Sequence, residues 1–330
     1  MIPCKPASEH TPQWKKLFAN SYVGLKALAK LHPQYSQNKH QLDAINKLFP
    51  IQITEQLLHS HPINGAVLKQ YLPNELELKD SPHHSENPVG DIEATQLPGV
   101  IKKYRHRVLL ITSNTCPVHC RYCFRKNFPY STTSPNVHLF KDALTFCKQD
   151  LSINEVILSG GDPLSLDDDM LEYLFESISK IDHIKTIRLH TKYPSVFPQR
   201  ITSKLLATLN NSSLNKVCVF HINHPDEIND AFCDAAQKIK QTNTTTLNQS
   251  VLLKDVNNNA DTLIELSRKL FNCGVIPYYL HMLDPAKGTQ HFHIDPKEAH
   301  SIVNRMKSHL PGYLVPKLAQ EIAGQDSKFY

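Results

Sequence analysis

Nowhere in the 330 residues does an apolar run approach the roughly 20 residues that a membrane-spanning helix needs. The opening Met1-Ile2-Pro3-Cys4-Lys5 lacks the apolar stretch of a secretion signal. No block of like charge stands out: 36 basic and 31 acidic residues leave a net charge of +5, spread along the chain. A nucleic-acid binder concentrates its positive charge on one element, so no nucleic-acid partner is expected. Low-complexity segments are missing, and 40% hydrophobic with 20% charged residues excludes intrinsic disorder. A chain of this size buries a core without disulfide staples. These absences together predict a cytoplasmic globular protein with no membrane partner.

Eight cysteines are present, at 4, 116, 120, 123, 147, 218, 233 and 273. Scattered cysteines in a long chain of this kind read as reduced thiols. Three of them crowd into eight residues and need a separate explanation.

The first part of the chain reads as mainly helical: Trp14, Leu17, Phe18 and Tyr22 lie at helical spacing, and Leu42, Ile45 and Leu48 repeat the pattern. Residues 81–99 are polar and proline-bearing, which predicts a linker or a loop crossing a surface. From about residue 108 short β-rich runs begin, at 108–111, 156–158, 186–190, 217–221, 244–250 and 275–280. Amphipathic segments alternate with them, at 139–149, 168–180, 199–210, 226–241, 259–272 and 296–309. Strands alternating with helices argue for βα units on a parallel sheet. Six such units are too few for a closed eight-fold barrel; a partial barrel and an open doubly wound sheet both remain.

In parallel βα folds the reactive groups gather at the carboxyl ends of the strands. Here the three cysteines follow the first strand, and Ser159-Gly160-Gly161-Asp162-Pro163 follows the second. His190-Thr191-Lys192, then His221-Ile222-Asn223-His224, then Asn248-Gln249-Ser250, then Tyr279, His281 and Asp284 follow the next four. Polar loops are ordinary one at a time; six in succession on one rim are not.

The sharpest signal is Cys116-Pro-Val-His-Cys120-Arg-Tyr-Cys123, a CxxxCxxC array. Thiolates are soft ligands suited to zinc, copper or iron–sulfur clusters. A structural zinc site wants four protein ligands, and none of the other cysteines forms a second close pair. Three thiolates on a four-iron cluster would leave one iron open to a small molecule. A zinc knuckle completed by His119, or three coincidental thiols, are the alternatives that spacing leaves.

CxxxCxxC after the first strand of a βα series resembles the radical S-adenosylmethionine superfamily, and Gly160-Gly161-Asp162 resembles its glycine-rich segment. The resemblance implies a partial (βα)6 TIM-like barrel in the α/β class, with an N-terminal helical extension. It implies a 4Fe-4S cluster on Cys116, Cys120 and Cys123, whose open iron chelates S-adenosylmethionine. Further segments narrow it: Lys103-Tyr104-Arg105-His106-Arg107, CRYCFRKNFP, LSGGDPL, PQRIT, HINHP, LNQSVLL and PYYLHMLD. In order and spacing these resemble the lysine 2,3-aminomutase family from about residue 95 to the C-terminus. Asn127-Phe128-Pro129-Tyr130, residues 247–253 and residues 312–318 look closest to the short members that serve elongation factor P.

The same resemblance, and nothing else in the residues, implies individual roles. Lys328, at the end of Glu321-Ile-Ala-Gly-Gln-Asp-Ser-Lys328, matches the lysine that carries pyridoxal 5′-phosphate as a Schiff base, with Lys317 its rival. Relatives continue past that lysine, whereas this sequence ends Phe329-Tyr330. Lys103, Tyr104 and Arg107 match the phosphate-binding segment. Arg125 matches the arginine that holds the substrate carboxylate, for which a bidentate fork is suited. Asp284 and Glu321 match the acidic positions that take the substrate ε-ammonium. Gly160, Gly161, Asp162, Asn248 and Gln249 are expected around S-adenosylmethionine, while His190, Lys192 and His224 would either join them or orient loops. C-terminal zinc-binding cysteines of longer relatives are missing here, so no zinc is expected.

The organisation expected is an N-terminal helical region (1–95), a radical S-adenosylmethionine core (96–310) and a C-terminal segment with the cofactor lysine (311–330). The activity implied is conversion of L-lysine to β-lysine, the R isomer, for modification of elongation factor P by its lysyl-ligase. An electron donor of the flavodoxin or ferredoxin type and assembly as a homo-oligomer accompany it. A free-standing aminomutase with another purpose, or a non-catalytic iron–sulfur sensor, are the competing readings.

Overall fold

The computed structural model describes residues 11–32, 35, 39–79, 81–130, 137–325, 327 and 328. Cys4 and the terminal Phe329 and Tyr330 lie outside them. Among the described residues the N-terminal region includes the helices α1 (Gln13–Ser21), α2 (Leu25–Leu31), α3 (Lys39–Leu48) and α4 (Glu55–Ser60), with a single further turn at Ala66–Lys69. A two-stranded antiparallel pair, β1 (Tyr22–Val23) and β2 (Ile53–Thr54), ties them together. Trp14, Leu28, Ile53 and Leu68 share one continuous apolar core with the larger sheet.

A nine-stranded sheet forms the rest of the frame. Two antiparallel strands, β3 (Thr95–Leu97) and β4 (Val100–Tyr104), lead into β5 (Arg107–Ser113). From β5 onward every pairing is parallel, through β6 (Glu155–Gly160), β7 (Thr186–Thr191), β8 (Asn215–His221), β9 (Thr244–Val251), β10 (Ile276–His281) and β11 (Lys317–Ala319). Helices α5 (Val137–Gln149), α6 (Asp168–Ser179), α7 (Ser203–Asn211), α8 (Asp230–Gln241), α9 (Ala260–Asn272) and α10 (Pro296–His309) connect them. The spatial order runs from β11 through β10 down to β3, with no pairing between the two ends. This is a partial barrel with an open seam.

Period-2 alternation divides the two faces. Val156, Leu158, Ile187, Leu189, Cys218 and Phe220 point into the core under the helices. Ile157, Ser159, Arg188, His190, His221, Gln249, Tyr279 and His281 line the barrel interior.

The predicted helices begin late in two places because side-chain caps set their starts. Thr202 accepts from Leu205 N before α7, and Asn229 from Phe232 N before α8. Three expectations need correction. Six parallel strands were expected, but Lys317–Ala319 adds a seventh, too short to show alternation. Residues 81–99 are no mere linker: they include β3, and Asp91 within them is buried. Cys233 and Cys273 are bonded as a disulfide between the α8 helix and the end of α9, so these two are not reduced thiols.

Candidate functional site

The carboxyl ends of β5 to β10 open on a cavity of about 290 Å³, and most of the residues singled out from the sequence line it. Cys116, Cys120 and Cys123 are all free and sit on the loop after β5. Burial pushes all three thiols up, Cys123 to about 11, with Asp162 and the neighbouring sulfurs adding to the effect at Cys116. A thiol in that state loses its proton readily only where a cation such as a metal centre would take up the thiolate, the proton passing to solvent. Among the described residues no three His, Cys, Asp or Glu side chains converge as one metal ion requires. A cluster that offers each sulfur its own iron makes no such demand. His119 is turned elsewhere: its Nδ1 donates to the Pro50 carbonyl at 2.7 Å and its ring stacks on Phe49.

Gly160 and Gly161 end β6 where the chain passes under the cysteine loop. Gly160 has φ +119°, and a Cβ there would sit 2.6 Å from the Ser113 carbonyl oxygen. At Gly161 it would meet the Thr115 carbonyl oxygen at 2.4 Å. Glycine is required here for the approach of two backbones as much as for any ligand. The Asp162 carboxylate accepts from Leu164 N, Lys192 N and Thr191 Oγ1. It staples the β6 loop to the end of β7, although burial raises its pKa to about 6.

The parity of β9 separates two residues that the sequence put together. Gln249 faces the cavity. Asn248 faces the opposite side, bonded to both backbone groups of Ile222 and to Ser250 Oγ. Asn248 is therefore no cavity residue, a correction that alternation imposes. Lys192 pairs with the buried Glu227 at 2.9 Å and donates to the His221 carbonyl. His224 Nδ1 caps the turn after β8 by accepting from Asp226 N. His190 lines the cavity, and its buried Nε2 has no hydrogen-bond partner among the described residues.

A chain of alternating charges crosses the open seam. Asp91 Oδ2 accepts from Arg125 Nε, and its Oδ1 pairs with Lys103 Nζ, both at 2.6 Å. Lys103 reaches Glu321 at 2.9 Å, and Glu321 in turn pairs with Lys328. Burial works against the Glu321 carboxylate, yet Lys328 and Lys103 hold its pKa at about 2. Asp284 differs: burial, then the Glu321 charge, lifts it to about 7 against the opposing pull of the Lys328 and Lys103 charges, and among the described residues neither cation is close enough to form an ion pair with it. Arg107 lies 4.0 Å over the Tyr104 ring, and burial with the Glu321 charge raises the Tyr104 hydroxyl to about 12. Lys328 lines the cavity with its ammonium 6.0 Å from the centre of the Tyr279 ring, whereas Lys317 is exposed on β11.

The cavity thus gathers Cys116, Cys120, Cys123, Lys103, Tyr104, Arg107, Arg125, Gly160, Gly161, Asp162, Gln249, Asp284, Glu321 and Lys328. Asp91, Arg188, His221 and His281 line it as well and were not picked out as site residues. For His221 and His281 the strand-end position was a usable signal. For Asp91 there was none, because nothing local marks a loop aspartate as the partner of a distant arginine.

Residues 110–266 match the family model described as "Radical SAM superfamily". An L-lysine 2,3-aminomutase of Haemophilus influenzae is 39% identical over 99% of this chain and 98% of its own. One of Buchnera aphidicola is 37% identical over 100% and 98%. That of Escherichia coli is 42% identical over 80% of this chain and 77% of its own.

Proposed function

The chain belongs to the radical S-adenosylmethionine lysine 2,3-aminomutase family, and on that footing we propose that it converts L-lysine to (R)-β-lysine in the cavity just described. It is an isomerase. One observation carries the reading: the three-cysteine loop after β5 and Lys328, from opposite ends of the barrel sequence, line the same cavity. A sensor has no use for a reactive lysine and an amino-acid clamp beside its cluster.

When bound, a 4Fe-4S cluster with S-adenosylmethionine supplies one-electron removal of an unactivated hydrogen, and pyridoxal phosphate carries the migrating nitrogen. The chain's residues do the rest. Cys116, Cys120 and Cys123 hold the cluster, and Gly160, Gly161 and Gln249 border the S-adenosylmethionine subsite. Lys328 offers the amine that tethers pyridoxal phosphate, with Arg107 and Tyr104 at its phosphate. Asp91 occupies Arg125 Nε, and Nη1 makes only a long 3.5 Å hydrogen bond to Ser159 Oγ, so the terminal nitrogens of the fork can turn to a carboxylate. Asp284, with no cation paired to it among the described residues, receives the distant ammonium of lysine. Glu321 is already engaged by Lys103 and Lys328, so its part is to place those two amines. Apolar Ile157, Val251 and Leu283 exclude water from the interior.

The test is anaerobic reconstitution with iron and sulfide, followed by incubation with L-lysine, S-adenosylmethionine, pyridoxal phosphate and a reductant. β-Lysine should form, and borohydride should fix the cofactor on Lys328 in a mass map. No β-lysine, or label on Lys317, overturns the assignment. The product's destination in this reading is elongation factor P; an unchanged mass of that factor after deletion of the gene would favour a free-standing aminomutase.

A further inference from the structure

Residues 49–77 lie outside the barrel, yet they account for much of what holds the cysteine loop. The His119 amide donates to the Gln52 carbonyl at 2.9 Å, and the Arg121 amide to the Gln70 carbonyl at 2.8 Å. Gln52 Nε2 donates to the carbonyl of Cys116 itself. Arg121, between two of the cysteines, is fully buried. Its Nε and Nη2 donate to Glu77 at 2.9 and 2.6 Å, its Nη1 to the Phe49 carbonyl at 3.0 Å, and its guanidinium lies 4.9 Å over the Phe49 ring. The far end of this segment grips the opposite rim, where Gln70 Nε2 and Tyr71 OH donate to Glu227 after β8. The loop after β5 is therefore bolted to the loop after β8 through a segment that contributes no strand to the nine-stranded sheet.

We infer that residues 49–77 belong to the cluster site: Glu77 through Arg121, and Gln52 through the Cys116 carbonyl, hold the loop in its ligating shape before iron arrives. The inference rests on the reading that these cysteines bind a cluster. Three thiolates on an unrestrained loop must lose backbone freedom on binding, and partners behind the ligands remove that cost in advance. An arginine buried so completely is retained only with its charge and donors satisfied, which Glu77 and Phe49 do. Glu77 and Gln52 are positioning residues; neither side chain lines the cavity.

The experiment uses the full-length chain, first as apoprotein and then reconstituted. In wild-type apoprotein the His119 and Arg121 amides should be protected from hydrogen exchange. Gln52→Leu and Glu77→Gln should each speed their exchange about tenfold and hasten loss of iron to a chelator by a similar factor. The apoprotein melting temperature of Gln52→Leu should stay close to wild type, which separates loop ordering from global stability. Unprotected loop amides in the wild type, or iron loss from Gln52→Leu at the wild-type rate, overturn the inference. Should Glu77→Gln fail to fold, Gln52→Leu alone decides. Wild-type protein that retains no iron would instead overturn the cluster reading beneath it.

Discussion

Asp284 is a partly buried carboxyl that forms no ion pair among the described residues, and its titration makes the reading testable. Its folded pKa of about 7 lies above the ordinary 3.8 because burial and the Glu321 charge both disfavour ionisation. Only the ionised form attracts an ammonium, so KM for lysine should fall about tenfold between pH 6 and pH 8. Asp284→Asn should flatten that profile and keep KM high throughout. The sign for stability is opposite. A pKa raised on folding contributes stability that is full below 3.8 and lost as pH rises through about 7. The same variant should therefore raise the melting temperature at pH 8 and leave it unchanged at pH 3. Asp91 acts at the same scale through its two cations. Asp91→Asn keeps the shape but drops the charge that fixes Arg125, and KM for lysine should rise about tenfold with a smaller effect on kcat. Equal losses in KM and kcat, or none, would remove Asp91 from the carboxylate subsite.

At the scale of elements, the site depends on how closely β6 passes the loop leaving β5. Gly161→Ala places a methyl where the Thr115 backbone lies, and the backbone has no rotamer with which to yield. Overpacking of this kind costs about 1–3 kcal/mol, and here the displaced strand end carries the cysteines. We expect Gly161→Ala to lower the melting temperature of the apoprotein and to reduce the iron held after reconstitution. Full iron with a lowered melting temperature would confine the glycine to packing. The Asp162 staple belongs to the same arrangement: it holds the β6 loop to β7 through Thr191 and the Lys192 amide. A residue expected to touch a cofactor is thus engaged mainly by the protein's own backbone.

At the scale of the molecule, the partial barrel has a seam between β3 and β11, and charged side chains bridge it. Asp91 and Lys103 stand on one edge, Glu321 and Lys328 on the other. Removing residues 321–330 takes one side of that bridge away while leaving the cysteine loop and its N-terminal supports. Such a truncation should still take up iron but should show no borohydride-fixed pyridoxal phosphate. Loss of iron as well would mean that the seam, and not only the lysine, holds the site together.

The periodicities were legible because they are local. Alternating β runs and amphipathic helices emerged within a few residues of where they lie, and Cys116, Cys120 and Cys123 announced themselves by spacing. The resemblance brought Lys328 and Arg125 into view from short motifs. Parity along β9 was also in the sequence, and it excluded Asn248 once Gln249 was placed inside. Pairings between distant charges had no such signature. That Asp91 serves Arg125, that Glu77 serves Arg121 and that Cys233 meets Cys273 depend on where segments far apart in the chain come to rest. Hydrophobic patterning specifies which face of each element is buried, but a single loop carboxylate carries no pattern. Its partner is chosen only when the barrel has curved and both edges of the seam face one another.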